Sequence, residues 1–270
     1  MGTKKDDQES AVALYSPADL PVPMGDIESH GDDGLEEATA ADIAIPFIRI
    51  VQSTSPQVKP TEGEYNPDAR PGMLVNVVTR ELFDPTPDRP FGMVHCYFRK
   101  EVLEWGLREK GGGLRNRFRP EEAASLLEKC TRDEKNRDVM PGGETHLELT
   151  GQHYILTADG EPAVIALSRT QHKKSRQWNS LIESWRLTHD GRKIKPKGYA
   201  RFYEAVTVPE KNDQGDWYGW KITPGPFVTA ELYAKAKAFH DLVAEDAVRI
   251  VDVEPADADA GMSEAHPDAA

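Results

Sequence analysis

Cysteine is nearly absent: Cys96 and Cys130 are the two in 270 residues, and neither sits in a CxxC pair or a Cys/His cluster with metal-ligand spacing. That argues against a disulfide scaffold and a thiolate metal site, and fits a reducing compartment. No apolar run approaches the roughly 18 residues that a membrane-crossing helix needs, and the opening MGTKKDDQES lacks the apolar stretch of a secretion signal. Asp6 stands where a myristoylation signature wants Ser or Thr. A cytoplasmic protein with no membrane association is expected. Phosphate-binding signatures are missing too, since neither GxxxxGK[ST] nor a strand-to-helix GxGxxG occurs. GxSxG is also absent. The many carboxylates are not grouped with partners that would hold Mg²⁺ or Zn²⁺. His146 and His153 come nearest to a ligand pair, but seven residues apart on a strand they project to opposite faces. No metal, no cofactor and no catalytic residue is assigned, and a binding protein is favoured over an enzyme.

Charge is present in quantity but unevenly placed. The chain has 33 Lys and Arg against 46 Asp and Glu, a net charge of −13. Residues 1–40 and 241–270 each carry −8, which leaves the body mildly basic at +3. The 38% apolar content is low, and the ends, rich in Asp, Glu, Ala, Pro and Gly, explain much of the deficit because they bury too little to offset the entropy of ordering. The expected organisation is a disordered acidic leader (1–40), one domain (41–248) with an insertion at 106–144, and a disordered acidic tail (249–270).

Within the body, ADIAIPFIRIVQSTSPQ (41–57) reads as an extended edge segment because Pro46 argues against a regular helix. Strands are expected at 72–79 and 91–100. In the second, alternation puts Val94, Cys96 and Phe98 on one face and His95, Tyr97 and Arg99 on the other, one face core and one wet. The insertion holds three consecutive glycines (111–113), Arg115, Arg117 and Arg119 in a weakly phosphate-contacting loop, and a helix from Pro120 with Ala123, Leu126, Leu127 and Cys130 on one stripe. Strands 145–157 and 162–170 form a hairpin about Ala158, Asp159 and Gly160. A helix over 171–187 packs Trp178, Leu181, Ile182 and Trp185. A second hairpin spans 199–223, and a last helix capped by Thr229 packs Leu232, Ala236, Phe239 and Val243 inward. This order predicts a mainly β, α+β fold, laid onto an oligonucleotide-binding (OB-like) Greek-key barrel with helical insertions, an unclassified α+β sheet being the alternative.

The functional signal is the contrast between the acidic chain and residues 162–203, where ten Lys and Arg face two acids, Glu183 and Asp190. A solvated face normally mixes signs, so a polyanion partner is expected. Lys173, Lys174, Arg176, Arg192, Lys193, Lys195 and Lys197 are the candidate phosphate contacts. Tyr199, Arg201 and Tyr203, with Trp217 and Lys221 from the partner strand and Tyr97 and Arg99 from the wet face of strand 91–100, are the candidate platform on which bases stack. The competing reading, that strand faces favour Tyr and Arg and that the tryptophans are core, is weighed evenly for this hairpin and preferred for Trp178 and Trp185.

IPFIRIVQSTSPQ (45–57), VTREL (78–82), YFRKEVLEW (97–105), TRDEKNRDV (131–139), KKSRQWNSLI (173–182) and the DWYGWKI hairpin resemble a set of tailed-bacteriophage proteins associated with single-stranded DNA binding. The resemblance spans about 41–225. It implies a non-catalytic accessory of phage DNA replication or recombination in the bacterial host's cytoplasm, with an oligonucleotide-binding barrel and single-stranded DNA as partner. The acidic tail would contact phage replication or recombination proteins, or occupy the basic groove in cis. Two rival expectations are an acidic protein-interaction module that inhibits a host factor or belongs to the virion, and a strand-annealing recombination protein.

Overall fold

A computed structural model of the chain describes residues 44–107, 110, 112–212 and 215–250. The acidic leader and nearly all of the expected tail lie outside the described residues, which fall within the unit Ala40–Ala270. The chain begins with β1 (Ala44–Ile45), β2 (Ile48–Ile50), β3 (Leu74–Asn76), β4 (Leu82–Phe83) and the long β5 (Phe91–Gly106). Then come β6 (Leu114–Phe118), α1 (Pro120–Leu127), β7 (Thr131–Arg132), β8 (Asp138–Val139), β9 (Thr145–Thr157) and β10 (Pro162–Ser168). The last third holds α2 (His172–Ser184), β11 (Leu187–His189), β12 (Arg192–Ile194), β13 (Arg201–Asn212), β14 (Gly215–Phe227), α3 (Ala230–Ala244) and β15 (Arg249–Ile250).

The fold is mainly β, built on a sheet curled into a half-barrel. Its strands run β14-β13-β5-β9-β8-β7, with β10 also paired to β9 and β6 to β5. β5 and β9 pair antiparallel over nearly their whole lengths and form a ribbon with different neighbours at its two ends. At one end β13 flanks β5 over Phe91–Val94 and β10 flanks β9 over Thr150–Leu156. At the other, β6 flanks β5 over Val102–Trp105 and β8 flanks β9 at His146–Leu147. Separate small sheets are β2-β3-β4, the hairpin β11-β12, and a parallel pairing of β1 with β15.

Helices cover three of the four surfaces of this ribbon. α3 buries Leu232, Ala236, Phe239 and Val243 against Val94, Cys96, Tyr154 and Leu156. The Leu232 N–H donates to Thr229 Oγ1 at 3.2 Å, the N-cap that stops the helix unwinding. α2 lays Trp178 over Met93, Ile155, Ile165, Leu167 and Tyr203 on the opposite face. α1 sets Ala123 against Val102 and Leu147 at the far end, its start fixed by Pro120 and by Glu122, whose carboxylate accepts the Arg119 N–H at 2.7 Å.

The structure departs from several expectations. Within the expected insertion 106–144, β6, β7 and β8 pair into the same sheet rather than only capping the core. β5 runs on to Gly106, and its period of two is broken by a register shift between His95 and Tyr97. A bulge of this kind gives two residues to one partner and reverses the faces beyond it. Val94, Cys96 and Tyr97 therefore share the α3 side, while His95 and Phe98 both pack on His153. Both faces are covered there, so the expected wet face does not exist. Strand 72–79 shrinks to three residues, and α2 ends at Ser184, which leaves Trp185 past the helix and half-buried against Phe227.

Candidate functional site

Among the described residues, no helix covers the fourth surface of the ribbon. Along β9 the residues on this face are His146, Glu148, Thr150 and Gln152, all buried. Opposite them on β5 stand Trp105, Leu103 and Glu101. Four successive polar inward positions are expensive in a packed core, and here they floor a cleft of about 560 Å³. One wall is β2 with the following Gln52, the second is the β13–β14 hairpin tip, and the third is the β7–β8 hairpin with the turn before α2.

The walls are cationic and aromatic. Arg49, Arg117, Arg132, Lys135, Arg137 and Arg169 line the cleft against the carboxylates of Asp138 and Glu148. Trp105, Trp217, Tyr218 and Trp220 supply rings. Carboxylates pin most of the guanidinium groups. Arg169 Nε donates to Glu148 Oε2 at 2.7 Å, and Arg117 Nη1 and Gln152 Nε2 donate to the same Glu101 oxygen at 3.3 and 3.1 Å. Arg132 Nε meets Asp138 at 3.0 Å, and the almost fully buried Arg137 meets Asp133 at 2.7 Å. Burial pushes the Asp133 carboxyl up, but hydrogen bonds from the Arg137 backbone and side chain outweigh it and hold the group below the usual carboxylate range. Among the described residues the buried Trp105 Nε1 donor and Gln152 Oε1 acceptor on the floor find no partner. Held cations, rings and unspent hydrogen-bonding groups suit an anionic ligand with planar parts.

The residues expected to bind are dispersed. Trp217 and Lys174 meet at the cleft rim, where Trp217 Nε1 donates to Glu210 at 2.9 Å and Lys174 Nζ sits 2.7 Å from its other oxygen. Burial pushes Glu210 up, yet hydrogen bonds from Lys174, Gln171 and Trp217 bring it below its ordinary value. Lys173 and Arg176 are exposed on α2, Lys197 and Lys221 are exposed elsewhere, and Arg192 and Lys193 belong to the separate β11–β12 hairpin. Lys195 is paired with Glu183.

The proposed stacking platform is not there. Tyr203 is 1% exposed beneath Trp178, and Tyr199 is 5% exposed against α3. Tyr199 precedes the strand in a 3-10 turn, and a register shift between Arg201 and Tyr203 removes the alternation that would have aligned the three. Arg201 donates to the Gly225 carbonyl at 2.6 Å and lies 4.8 Å over Trp185. Tyr97 packs on His240, and Arg99 donates to the Val243 carbonyl at 2.8 Å while pairing with Asp246 at 2.6 Å, a strap on the end of α3. The cleft cations Arg49, Arg132, Lys135, Arg137 and Arg169 escaped the sequence reading because three segments far apart in the chain deliver them, β2, the β7–β8 hairpin and the turn before α2. The readable signal was the polar inner row of β9.

The groups that look most like chemistry are enclosed. His95 Nε2 and His153 Nδ1 are 3.1 Å apart, and His153 Nε2 is 2.8 Å from Ser175 Oγ. The His153 ring stacks on Trp178 at 4.4 Å, and all four residues are buried. Gly151 makes this possible, since a Cβ there would lie 2.5 Å from Ser175 Oγ. Burial lowers the His95 pKa to about 3 and moves His153 the same way. These neutral rings sit away from the cleft and tie α2 to the sheet. Among the described residues no group of His, Cys, Asp and Glu could hold a metal ion, and no helix is long and apolar enough to cross a membrane.

No curated protein and no solved structure matches the chain. A family model described as Pam3 phage gp34-like protein matches residues 9–249, reaching further into the leader and further toward the end than the resemblance over 41–225 suggested. The chain belongs to this family of phage proteins.

Proposed function

We propose that the protein is a non-catalytic single-stranded DNA-binding protein of phage DNA replication or recombination, and that the strand lies in the cleft on the open end of the β5–β9 ribbon. The observation that carries this reading is the lining itself: six Lys and Arg against two carboxylates, with three tryptophans and a tyrosine. Cations that track phosphates and rings that accept any base are what sequence-tolerant binding of unpaired strands requires, each stacked base being worth ~1–3 kcal/mol. The segments 45–57 and 131–139 and the DWYGWKI hairpin, on which the resemblance to phage single-strand binders rests, all border this cleft. The curl of the sheet takes the part that the groove of an OB-like barrel was expected to play.

The test is fluorescence anisotropy of a labelled oligothymidine at two salt concentrations. Affinity falls as salt rises, with a log-log slope of ~0.7 per phosphate contacted. An affinity independent of salt, or no binding at low salt, refutes the reading.

A further inference from the structure

A second concavity of about 560 Å³ lies where β4 meets the start of β5 and the β9–β10 turn. Its character is opposite to that of the cleft. Phe83 and Phe91 meet edge to face at 5.1 Å and, with Leu82 and Ile45, give an apolar floor. Glu81, Asp84, Asp159 and Glu161 line it against one cation, Arg89. β4 is also the last strand of its sheet, so its outer backbone edge has no strand partner among the described residues. An exposed edge of this kind accepts an added strand, and the side-chain pockets beside it select which strand.

The same chain carries the complement. Among the described residues, β11 and β12 pair with each other and with no other strand. Asp190 and Gly191, both at positive φ, turn the hairpin. Arg192, Lys193 and Ile194 are exposed, and Ile194 keeps 45% of its surface in water although it is a large apolar residue. An apolar side chain flanked by Lys193 and Lys195, on a strand with a free edge, is the inverse of an apolar floor flanked by acids beside another free edge.

We infer that the β11–β12 hairpin of one copy docks in the acidic β4 groove of a second copy, Ile194 on the phenylalanine floor and Arg192 and Lys193 against Glu81 and Glu161. The contact joins two different surfaces, so it repeats head to tail and builds chains or rings rather than a closed two-fold dimer. It uses none of the residues lining the cleft and does not depend on what the cleft binds.

Sedimentation equilibrium of the full chain without nucleic acid, over a concentration series at low and high salt, measures it. The expected result is a mass that rises beyond that of one chain with concentration and falls back as salt screens the contact. The double variant Arg192→Glu with Lys193→Glu and the double variant Glu81→Lys with Glu161→Lys each stay monomeric, because acid then faces acid and base faces base. Mixing the two restores the assemblies, since every contact in the mixture again joins opposite charges. A far-UV spectrum and melting curve of each variant separate loss of contact from loss of fold. A wild-type chain that stays monomeric throughout, association that survives either reversal, or a mixture that stays monomeric overturns the inference.

Discussion

The two ends of one sheet face behave as different materials. At the α3 end the inward residues are Val94, Cys96, Tyr154 and Leu156, covered by Phe239 and Val243. At the other end the same face of the same two strands presents Trp105, His146, Glu148, Thr150 and Gln152 to a cleft. From the Tyr97–Tyr154 pair onward the register runs without a shift to the cleft end, so the difference lies in the side chains and in where α3 stops. A helix covers the sheet only as far as the apolar row extends, and beyond it the surface opens into the cleft. The sharpest way to break this comparison is to swap the demands on the two ends. Phe239→Ala removes a buried ring from the covered end and is expected to cost about 3–5 kcal/mol, whereas Thr150→Val on the open floor changes stability by less than about 1 kcal/mol. Thermal melts of the two variants measure the contrast, and equal losses would mean that both ends are ordinary core.

The next contrast runs through β9 to its other side, where His95 and His153 are enclosed under α2. Their unfolded forms titrate near 6.5, while burial takes His95 down to about 3 in the folded chain. The unfolded state therefore binds more protons between these values, so the stability is complete above pH 6.5 and is lost as pH falls toward 3. By pH 5 the loss from His95 amounts to about 2 kcal/mol. Replacing His95 by Gln is expected to flatten the change in melting temperature between pH 7 and 5. An unaltered slope in that variant would place the pH sensitivity elsewhere, His172 being the neighbouring imidazole that burial also lowers.

How much of this was legible in the chain follows from where each signal was stored. α3 could be read to the residue, because Thr229 and the spacing of Leu232, Ala236, Phe239 and Val243 are local, and local periodicity survives folding. The β9–β10 and β13–β14 hairpins were equally legible from alternation and turn residues. Face assignments failed wherever a single register shift intervened, at Cys96 and at Phe202, since nothing local marks a bulge. The cleft went unread for a different reason. Charge density along the sequence pointed to residues 173–201, but density in sequence is not density in space. Those cations stand on α2 and on the separate β11–β12 hairpin, while the cleft collects its cations from β2, β6, the β7–β8 hairpin and the turn before α2.

A smaller effect probes the polar floor. Glu148 is 8% exposed and its carboxylate is held by Arg169 at 2.7 Å. Arg169→Ala strands a buried charge and is expected to cost about 1–3 kcal/mol. Arg169→Leu combined with Glu148→Leu removes both charges and recovers most of that loss. Urea denaturation of the single and double variants decides between a floor tuned for a ligand and a floor needed for folding. If the apolar pair also loses oligothymidine affinity while keeping its stability, the first account holds.

The smallest expected change discriminates best between the two basic regions. Lys135 is exposed on the cleft wall and Lys193 is exposed on the outlying hairpin, so both substitutions to Ala leave the fold unstrained. If the strand runs through the cleft, Lys135→Ala lowers the salt slope of oligothymidine binding by ~0.7, one phosphate contact, and Lys193→Ala leaves it unchanged. If the density of charge along the sequence had been the right guide, the two outcomes exchange. The slope decides this where a bare affinity would not, because any lost cation weakens binding a little through the long-range field, whereas a contacted phosphate alone changes the number of counterions released.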